Sequence, residues 1–153
     1  RGVLNEILMD MDVIDAPRVQ DASPQTQIWD LLVATRRELA PYLHLFRQMF
    51  TYAMTHPTFD MSESTHPTLS RALTDIIREG QDRAVFNADL DAEGAGALIA
   101  TLFFRLSVLE CVHQERATAE QVDEASLEQQ GAFCWERRMR AGLHMLYEGL
   151  LGR

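Results

Sequence analysis

The feature that most constrains this chain is the apolar stretch between Asp91 and Gln114, DAEGAGALIATLFFRLSVLECVHQ. From Ala97 to Val112, twelve of the sixteen residues are apolar, which is more than the single buried stripe of a surface helix requires. A membrane span needs about 20 predominantly apolar residues, and Arg105 and Glu110 interrupt this run earlier. The stretch therefore predicts a helix that packs both on its own core and on a partner, a second copy of the chain.

The apolar residues of this central helix divide into two arcs when successive residues are placed about 100° apart. One arc contains Leu98, Ile99, Leu102, Leu106 and Leu109. The other, on roughly the opposite side, contains Ala97, Ala100, Phe104, Val108 and Cys111. We expect one arc to face the core and the other, through Ala100, Phe104, Val108 and Cys111, to face the second copy.

The composition indicates one soluble, cytoplasmic domain. A length of 153 residues fits a single domain that buries about 70% of its unfolded surface. The net charge of −9 and the pI near 4.9 argue against binding of phosphate backbones by this chain alone, because nucleic-acid-binding domains carry basic patches. Cys111 and Cys134 lie in apolar helical patterns and predict buried, reduced thiols rather than a disulfide framework.

The rest of the chain shows helical periodicity interrupted by polar turns, with no alternating β pattern and no repeat. Ser23 and Pro24 are typical of a helix start, and Asp91 is typical of the cap before the central helix. The expected fold is all-α, an antiparallel bundle of about six helices in which the last two form a four-helix bundle with a second copy. The opening residues have helical spacing at Val3, Leu4, Ile7, Leu8 and Met11 but no N-cap before Val3, so this helix is expected to begin before Arg1. The other predicted helices run from Pro24 to Leu39, from Pro41 to Thr55, from a cap at Ser64 or Thr65 to Ala84, and from Glu120 to Leu151.

The predicted final helix has a bulky side and a side of small or soft residues. The bulky side contains Trp135, Met139, Leu143, Leu146 and Leu150. The small side contains Gly131, Cys134, Ala141, Gly142, Met145 and Gly149. Glycine lowers helix stability, so such a row is tolerated best where another helix approaches closely. We therefore assign Gly131, Cys134, Gly142 and Met145 to the dimer interface.

The segment that starts at Leu73, LTDIIREGQDRAVFNADLDAEGAGALIATLFFRL, resembles the regulatory domain of tetracycline-repressor-type (TetR family) transcriptional regulators. In that family a helix ends in a glycine-containing turn, and an Asp-Leu-Asp-like cap leads into an apolar helix that builds the dimer with a long last helix. The opening RGVLNEILMD resembles the helix that follows the family's N-terminal helix-turn-helix module. Ala84 stands where the family often has glycine.

The resemblance covers the helix order and spacing of residues 1–153 and implies one effector-binding and dimerisation domain. It implies a bacterial, cytoplasmic homodimer that is neither an enzyme nor a membrane protein and needs no cofactor. A small apolar or amphipathic effector would alter repressor-type binding of operator DNA by a helix-turn-helix module that this chain lacks. Effector-contacting residues vary within the family, so the resemblance assigns none of them here.

A ligand pocket is predicted from the residues themselves, between the second, third and central predicted helices. Trp29, Val33, Phe46, Met49 and Phe50 form its expected floor. Small-molecule pockets are lined by apolar and aromatic side chains with a few polar groups, and methionine adapts to irregular shapes. The alternative is that these side chains fill the core.

Arg36 and Arg105 interrupt apolar arcs, where an unpaired buried charge would be costly. Arg36 is a candidate contact for the acidic end of a ligand, or else pairs internally with Asp10, Asp12 or Glu110. Arg105 is a candidate ligand contact, or else forms a salt bridge at the dimer interface.

Two Glu-x-x-His pairs, Glu63/His66 and Glu110/His113, support the alternative function of a helical-bundle metalloprotein or enzyme. This spacing places both side chains on one helix face, as in di-iron carboxylate bundles. However, Glu63 and His66 lie at a helix start beside Pro67, and no further inward-facing glutamate completes a ligand set. The metal-binding reading therefore ranks below the effector-binding one, and His44 and His144 are expected to be exposed.

Overall fold

The computed structural model of the chain describes residues 22–55, 67–119 and 134–150. Within these ranges the chain forms helices and no strand, which confirms the predicted all-α class. The elements are α1 (Pro24–Leu39), a 3-10 turn (Ala40–Tyr42), α2 (Leu43–Thr55), α3 (Pro67–Asp82), α4 (Ala92–Ala119) and α5 (Trp135–Leu150). The predicted opening helix, the Glu63/His66 pair, Gly131 and the first part of the predicted final helix lie outside the described residues.

Helix α1 begins and ends where the sequence predicts. The Thr26 backbone N–H donates to Ser23 Oγ at 3.2 Å, and Pro24 occupies the first turn, where its missing N–H costs no hydrogen bond. Pro41 has no N–H to continue the series, so a 3-10 turn separates α1 from α2. The buried stripe of α1 contains Ile28, Leu31, Leu32, Thr35 and Leu39.

Helix α3 ends in a Schellman motif at residues 80–85. The Val85 N–H donates to the Gly80 carbonyl at 2.8 Å, and the Ala84 N–H donates to the Gln81 carbonyl at 2.9 Å. This pair of bonds satisfies carbonyls at the end of the helix and requires a left-handed residue. Ala84 is that residue, with φ of 55°.

Helix α4 lies at the centre of the packing and contacts α2, α3 and α5, while α1 packs on α3. The Asp91 carboxylate caps it by accepting the Glu93 N–H at 3.1 Å, as predicted. Close approach of α3 depends on Gly96, because a Cβ there would lie 2.9 Å from the Ser70 carbonyl oxygen and 3.0 Å from the Thr74 nitrogen.

The buried side of α4 is rotated relative to the two predicted arcs. It is centred on Phe103, which is fully buried and belonged to neither arc. Ala100 and Cys111, assigned to the dimer interface, are 4% and 9% exposed within one protomer. That assignment is corrected, because both face the chain's own core. Leu98, which the predicted arcs grouped with Ile99, is 53% exposed.

Helix α5 buries the predicted bulky side through Trp135, Met139 and Leu143. Gly142 faces the chain's own α4, since a Cβ there would lie 2.5 Å from Leu102 Cδ2. Its assignment to a partner-facing row is therefore corrected. Cys134 is exposed and corrects the expectation of a buried thiol.

The apolar character of α4 also satisfies the composition criteria for a membrane span. The segment Ala92–Glu115 contains 24 residues and an 18-residue window with a mean hydropathy of 1.8. Only 39% of that window is buried inside the protein. A core helix of a water-soluble protein meets the same criteria, so length and composition alone do not identify α4 as a membrane span.

Candidate functional site

Side chains from α1, α4 and α5 meet in an arginine–tryptophan cluster, defined by Trp29, Arg36, Glu110, Trp135 and Arg140. Its charged centre is the pair between Arg36 and Glu110. Arg36 Nη2 donates to both carboxylate oxygens of Glu110, at 2.8 and 2.7 Å. The Arg36 side chain is 36% exposed and that of Glu110 is 12% exposed.

This pair answers the question that the sequence left open for Arg36. Of its two expected roles, the internal ion pair with Glu110 is the one found, so the charge of Arg36 is already compensated. The reason for placing a ligand carboxylate at Arg36 is thereby removed, and its assignment as a ligand contact is corrected. Removing Arg36 would leave the carboxylate of Glu110, which is only 12% exposed, without its counter-charge, and this is costly.

Trp135, the first residue of α5, is the most enclosed member of the cluster. Its Nε1–H donates to Ser107 Oγ at 3.1 Å, and the Ser107 hydroxyl donates to the Phe103 carbonyl at 2.8 Å. The Phe103 ring meets it edge-on at 5.7 Å. The Arg36 Cζ atom lies 4.7 Å from the centroid of the Trp135 ring, within the range of a cation–π contact. Trp135 is therefore held by both α1 and α4.

A second cation–π contact joins the same two helices, with the arginine now on α5 and the tryptophan, Trp29, on α1. The Arg140 Cζ atom lies 3.8 Å from its ring centroid, and its ring lies 5.9 Å from that of Trp135. Helices α1 and α5 thus contribute one tryptophan and one arginine each, and α4 contributes Glu110. Trp29 is half-buried in this stack, and its assignment to a pocket floor stays a prediction. One sequence signal pointed to the arrangement: Trp29 and Arg36 are seven residues apart, on one side of α1.

The other predicted pocket residues do not come together with this cluster in the described structure. Val33 is half-buried on α1. Arg105 is exposed on α4, seven residues from the exposed Leu98, and its assignment as a ligand contact stays a prediction. The side chains of Phe46, Met49 and Phe50 lie outside what the structure describes, and a pocket beside α2 stays a prediction.

A second feature is an open apolar face where the start of α4 meets the end of α5. Leu98 is 53% exposed and Met145 is 75% exposed, and both border a groove of about 340 Å³. Of the predicted interface residues, Met145 lies on this face, while Phe104 and Val108 are half-buried further along α4. Leu98 was missed as a surface residue because the sequence pattern placed it in the same arc as Ile99. The groove is lined by Leu90, Asp91, Gly94, Ala95, Leu98, Ile99, Met145, Leu146 and Gly149.

The hydroxyl of Tyr147 is buried and makes no hydrogen bond in the described part of the chain. Its ring stacks on Phe86 at 6.1 Å. Burial raises the pKa of Tyr147 above its ordinary value, because the ionised phenolate would lose its hydration. The side chain therefore stays neutral in the folded protein over the physiological range.

Of the two Glu-x-x-His pairs that suggested a metal site, only Glu110 and His113 lie in the described part of the chain. Glu110 is occupied by Arg36, and His113 is exposed. Within residues 22–55, 67–119 and 134–150, no group of three or more His, Cys, Asp or Glu side chains is placed to hold a metal ion. His44 and His144 are exposed, as predicted, and His144 lies 3.6 Å from Glu148 one turn away.

Comparison of the chain with family models, with curated proteins and with solved structures finds no match.

Proposed function

We propose that this chain is the dimerisation and effector-sensing domain of a TetR-type transcriptional regulator. The observation that carries the proposal is the open apolar face formed by Leu98 of α4 and Met145 of α5. Large apolar side chains that share one exposed face are typical of protein–protein contacts. In the TetR-type arrangement that the sequence resembles, the corresponding two helices meet the same two helices of a second copy.

Burial of this face against a second copy would stabilise a dimer. Burying a large apolar side chain stabilises an assembly by about 1.5–3 kcal/mol. In a two-fold symmetric dimer each such contact occurs twice, so burying Leu98 and Met145 in both subunits buries four large side chains per dimer. The groove beside them has apolar walls that accept a side chain from the partner. Gly149 lines it and has no neighbour within 4 Å of where its Cβ would stand.

The exposed residues between the large apolar ones also suit helix–helix contact. Ala97 and Ala141 are exposed and small, and small residues allow helices to approach closely. Two helices from each copy make a four-helix bundle. Arg105, on the same side of α4 as Leu98, is placed to form a salt bridge across such an interface.

The effector and the DNA enter the proposal through the resemblance. The effector is a small apolar or amphipathic molecule that binds beside α1 and α2 and changes the relative position of the two subunits. Operator DNA is bound by a helix-turn-helix module outside this chain, since a net charge of −9 opposes contact with phosphates. A regulator of this kind works in the cytoplasm.

The test is the oligomeric state of the purified chain in solution, measured by analytical ultracentrifugation at micromolar concentration. We expect a dimer. Leu98→Arg and Met145→Arg should each give a folded monomer, because each places an unpaired charge in the buried interface. Tyr42→Arg is the matched control, since Tyr42 is 39% exposed and lies in the 3-10 turn away from α4 and α5. A wild-type monomer, or variants that dimerise as well as the control, would show that this face is not the interface.

Lipid is the main competing surface for the open side of α4. Co-sedimentation with phosphatidylcholine vesicles separates the two possibilities. Under the proposal, the detergent-free protein remains in the supernatant and dimerises there. A chain that needs detergent to stay in solution, and that sediments with vesicles, uses α4 as a membrane helix instead.

A further inference from the structure

We propose that Arg36, Glu110 and Trp135 form a latch that couples the position of α1 to the orientation of α5. The coupling is a property of the described helices. Its consequence for regulation, that a displacement of α1 is transmitted to the dimerisation face, rests on the proposed function.

Coupling between α1 and α5 needs a direct contact between them, because the two helices pack mainly on different partners. Helix α1 packs mainly on α3, and α5 packs mainly on α4. Among the described residues, the contacts between α1 and α5 include those of the arginine–tryptophan cluster, with Arg36 over Trp135 and Arg140 over Trp29. Long side chains in contact can separate without moving the backbone of either helix, so this junction is where the two helices can change their relation.

Glu110 determines whether the junction is closed. It holds Arg36 Nη2 through both carboxylate oxygens and thereby keeps the guanidinium over the indole of Trp135. Without the carboxylate, Arg36 would remain as an uncompensated charge beside a buried ring. Because its side chain is 36% exposed, it can move into water instead. Trp135 would then lose its contact with the Arg36 guanidinium and keep the hydrogen bond to Ser107.

Loss of the Arg36–Trp135 contact would affect the orientation of the whole of α5, because of where Trp135 lies in that helix. It is the first residue of that helix, whereas Met145 lies ten residues further on, about 15 Å along the axis. A small tilt at Trp135 therefore displaces the end of α5 that borders the apolar groove. In the TetR-type reading, an effector that shifts α1 would open the latch and alter the interface.

Tryptophan fluorescence reports on the latch, because the chain contains two tryptophans and both belong to the cluster. Trp29→Phe leaves Trp135 as the sole indole fluorophore. In this background, Glu110→Gln removes the charge while keeping the side-chain volume, and Arg36→Gln removes the cation. We expect each variant to shift Trp135 emission to longer wavelength and to increase its quenching by acrylamide. Amide hydrogen exchange in the first turns of α5 should accelerate by roughly tenfold or more, the factor that follows from losing a charged hydrogen bond.

Three comparisons separate a latch from an ordinary stabilising pair. The double variant should change emission no more than either single variant, because both open the same contact. Glu93→Gln is the matched control: it removes the carboxylate of the exposed Arg78–Glu93 pair at 3.9 Å and should leave Trp135 emission unchanged. Exchange in α3 should stay at the wild-type rate in the Glu110 and Arg36 variants.

If Glu110→Gln does not fold, Arg36→Lys is the second variant. It keeps a positive charge opposite Glu110 but removes the planar group from the indole, so Trp135 emission should still shift. The latch is wrong if emission and exchange in α5 match the control, even when the melting temperature falls. Ultracentrifugation of the same samples tests the proposed function separately. A wild-type monomer would reject the dimer while the emission result still decides the latch, and a weaker dimer in Glu110→Gln would support both.

Discussion

Ala84→Gly should stabilise this protein, and the structure specifies by how much. Ala84 terminates α3 with φ of 55°, a left-handed conformation that costs a residue with a Cβ about 1–2 kcal/mol. Glycine removes that strain but gives the unfolded chain more freedom, which costs about 0.4–1 kcal/mol. Ala84 is exposed, so little packing is lost with its methyl group. The midpoints of these two ranges differ by about 0.8 kcal/mol, which is the expected increase in the free energy of unfolding.

Urea denaturation followed by far-ultraviolet circular dichroism measures this difference. For a chain of this size, the same change raises the melting temperature by about 1–4 °C. Ala40→Gly is the matched control, because Ala40 is also exposed but has φ of −49° and ψ of −43° in the ordinary helical region. The control should lose about 0.5–1 kcal/mol. A loss of stability in Ala84→Gly equal to that of the control would refute the assignment of strain to Ala84.

Three further outcomes are expected. Gly96→Ala should lower the free energy of unfolding by about 1–3 kcal/mol in the same urea assay, because the added Cβ would lie 2.9 Å from the Ser70 carbonyl oxygen. An unchanged midpoint would mean that α3 and α4 separate at no cost. Tyr147→Phe should lose less stability than the wild type as pH rises through 10. The folded state keeps the Tyr147 proton that the unfolded chain releases. Above pH 10, Tyr147 therefore lowers the free energy of unfolding of the wild type by up to about 1.4 kcal/mol per pH unit. Equal pH dependence in the wild type and Tyr147→Phe would contradict this. Duplex DNA titrated at moderate ionic strength should show no salt-dependent binding to this acidic chain, and a measurable affinity would overturn that expectation.

Local features of the fold could be predicted from the sequence because they depend on residues close together in the chain. Ser23 and Asp91 cap helices as predicted, and the buried stripe of α5 contains Trp135, Met139 and Leu143 as its 3.6-residue period indicates. Helix class, caps and one clear apolar side are consequences of backbone geometry and spacing. They need no knowledge of what packs against them.

Tertiary structure alone decided which side of α4 is buried. Its apolar residues surround the helix, so periodicity gave two possible arcs, and the rotation was set by Phe103 facing the core. The same limit applies to Gly142, whose missing Cβ accommodates Leu102 of α4. Spacing within one helix carries no information on the direction from which another helix approaches.

The candidate site shows the same division between what one element determines and what several determine together. The sequence placed Arg36 in an apolar arc and required a partner for it, with Glu110 among the possibilities. The pairing itself joins residues 74 positions apart, and it depends on how α1 lies against α4. The cluster also needs Trp135 from the first turn of α5. A charge in an apolar arc therefore predicts from sequence that a partner exists, whereas the identity of that partner is decided by helix packing.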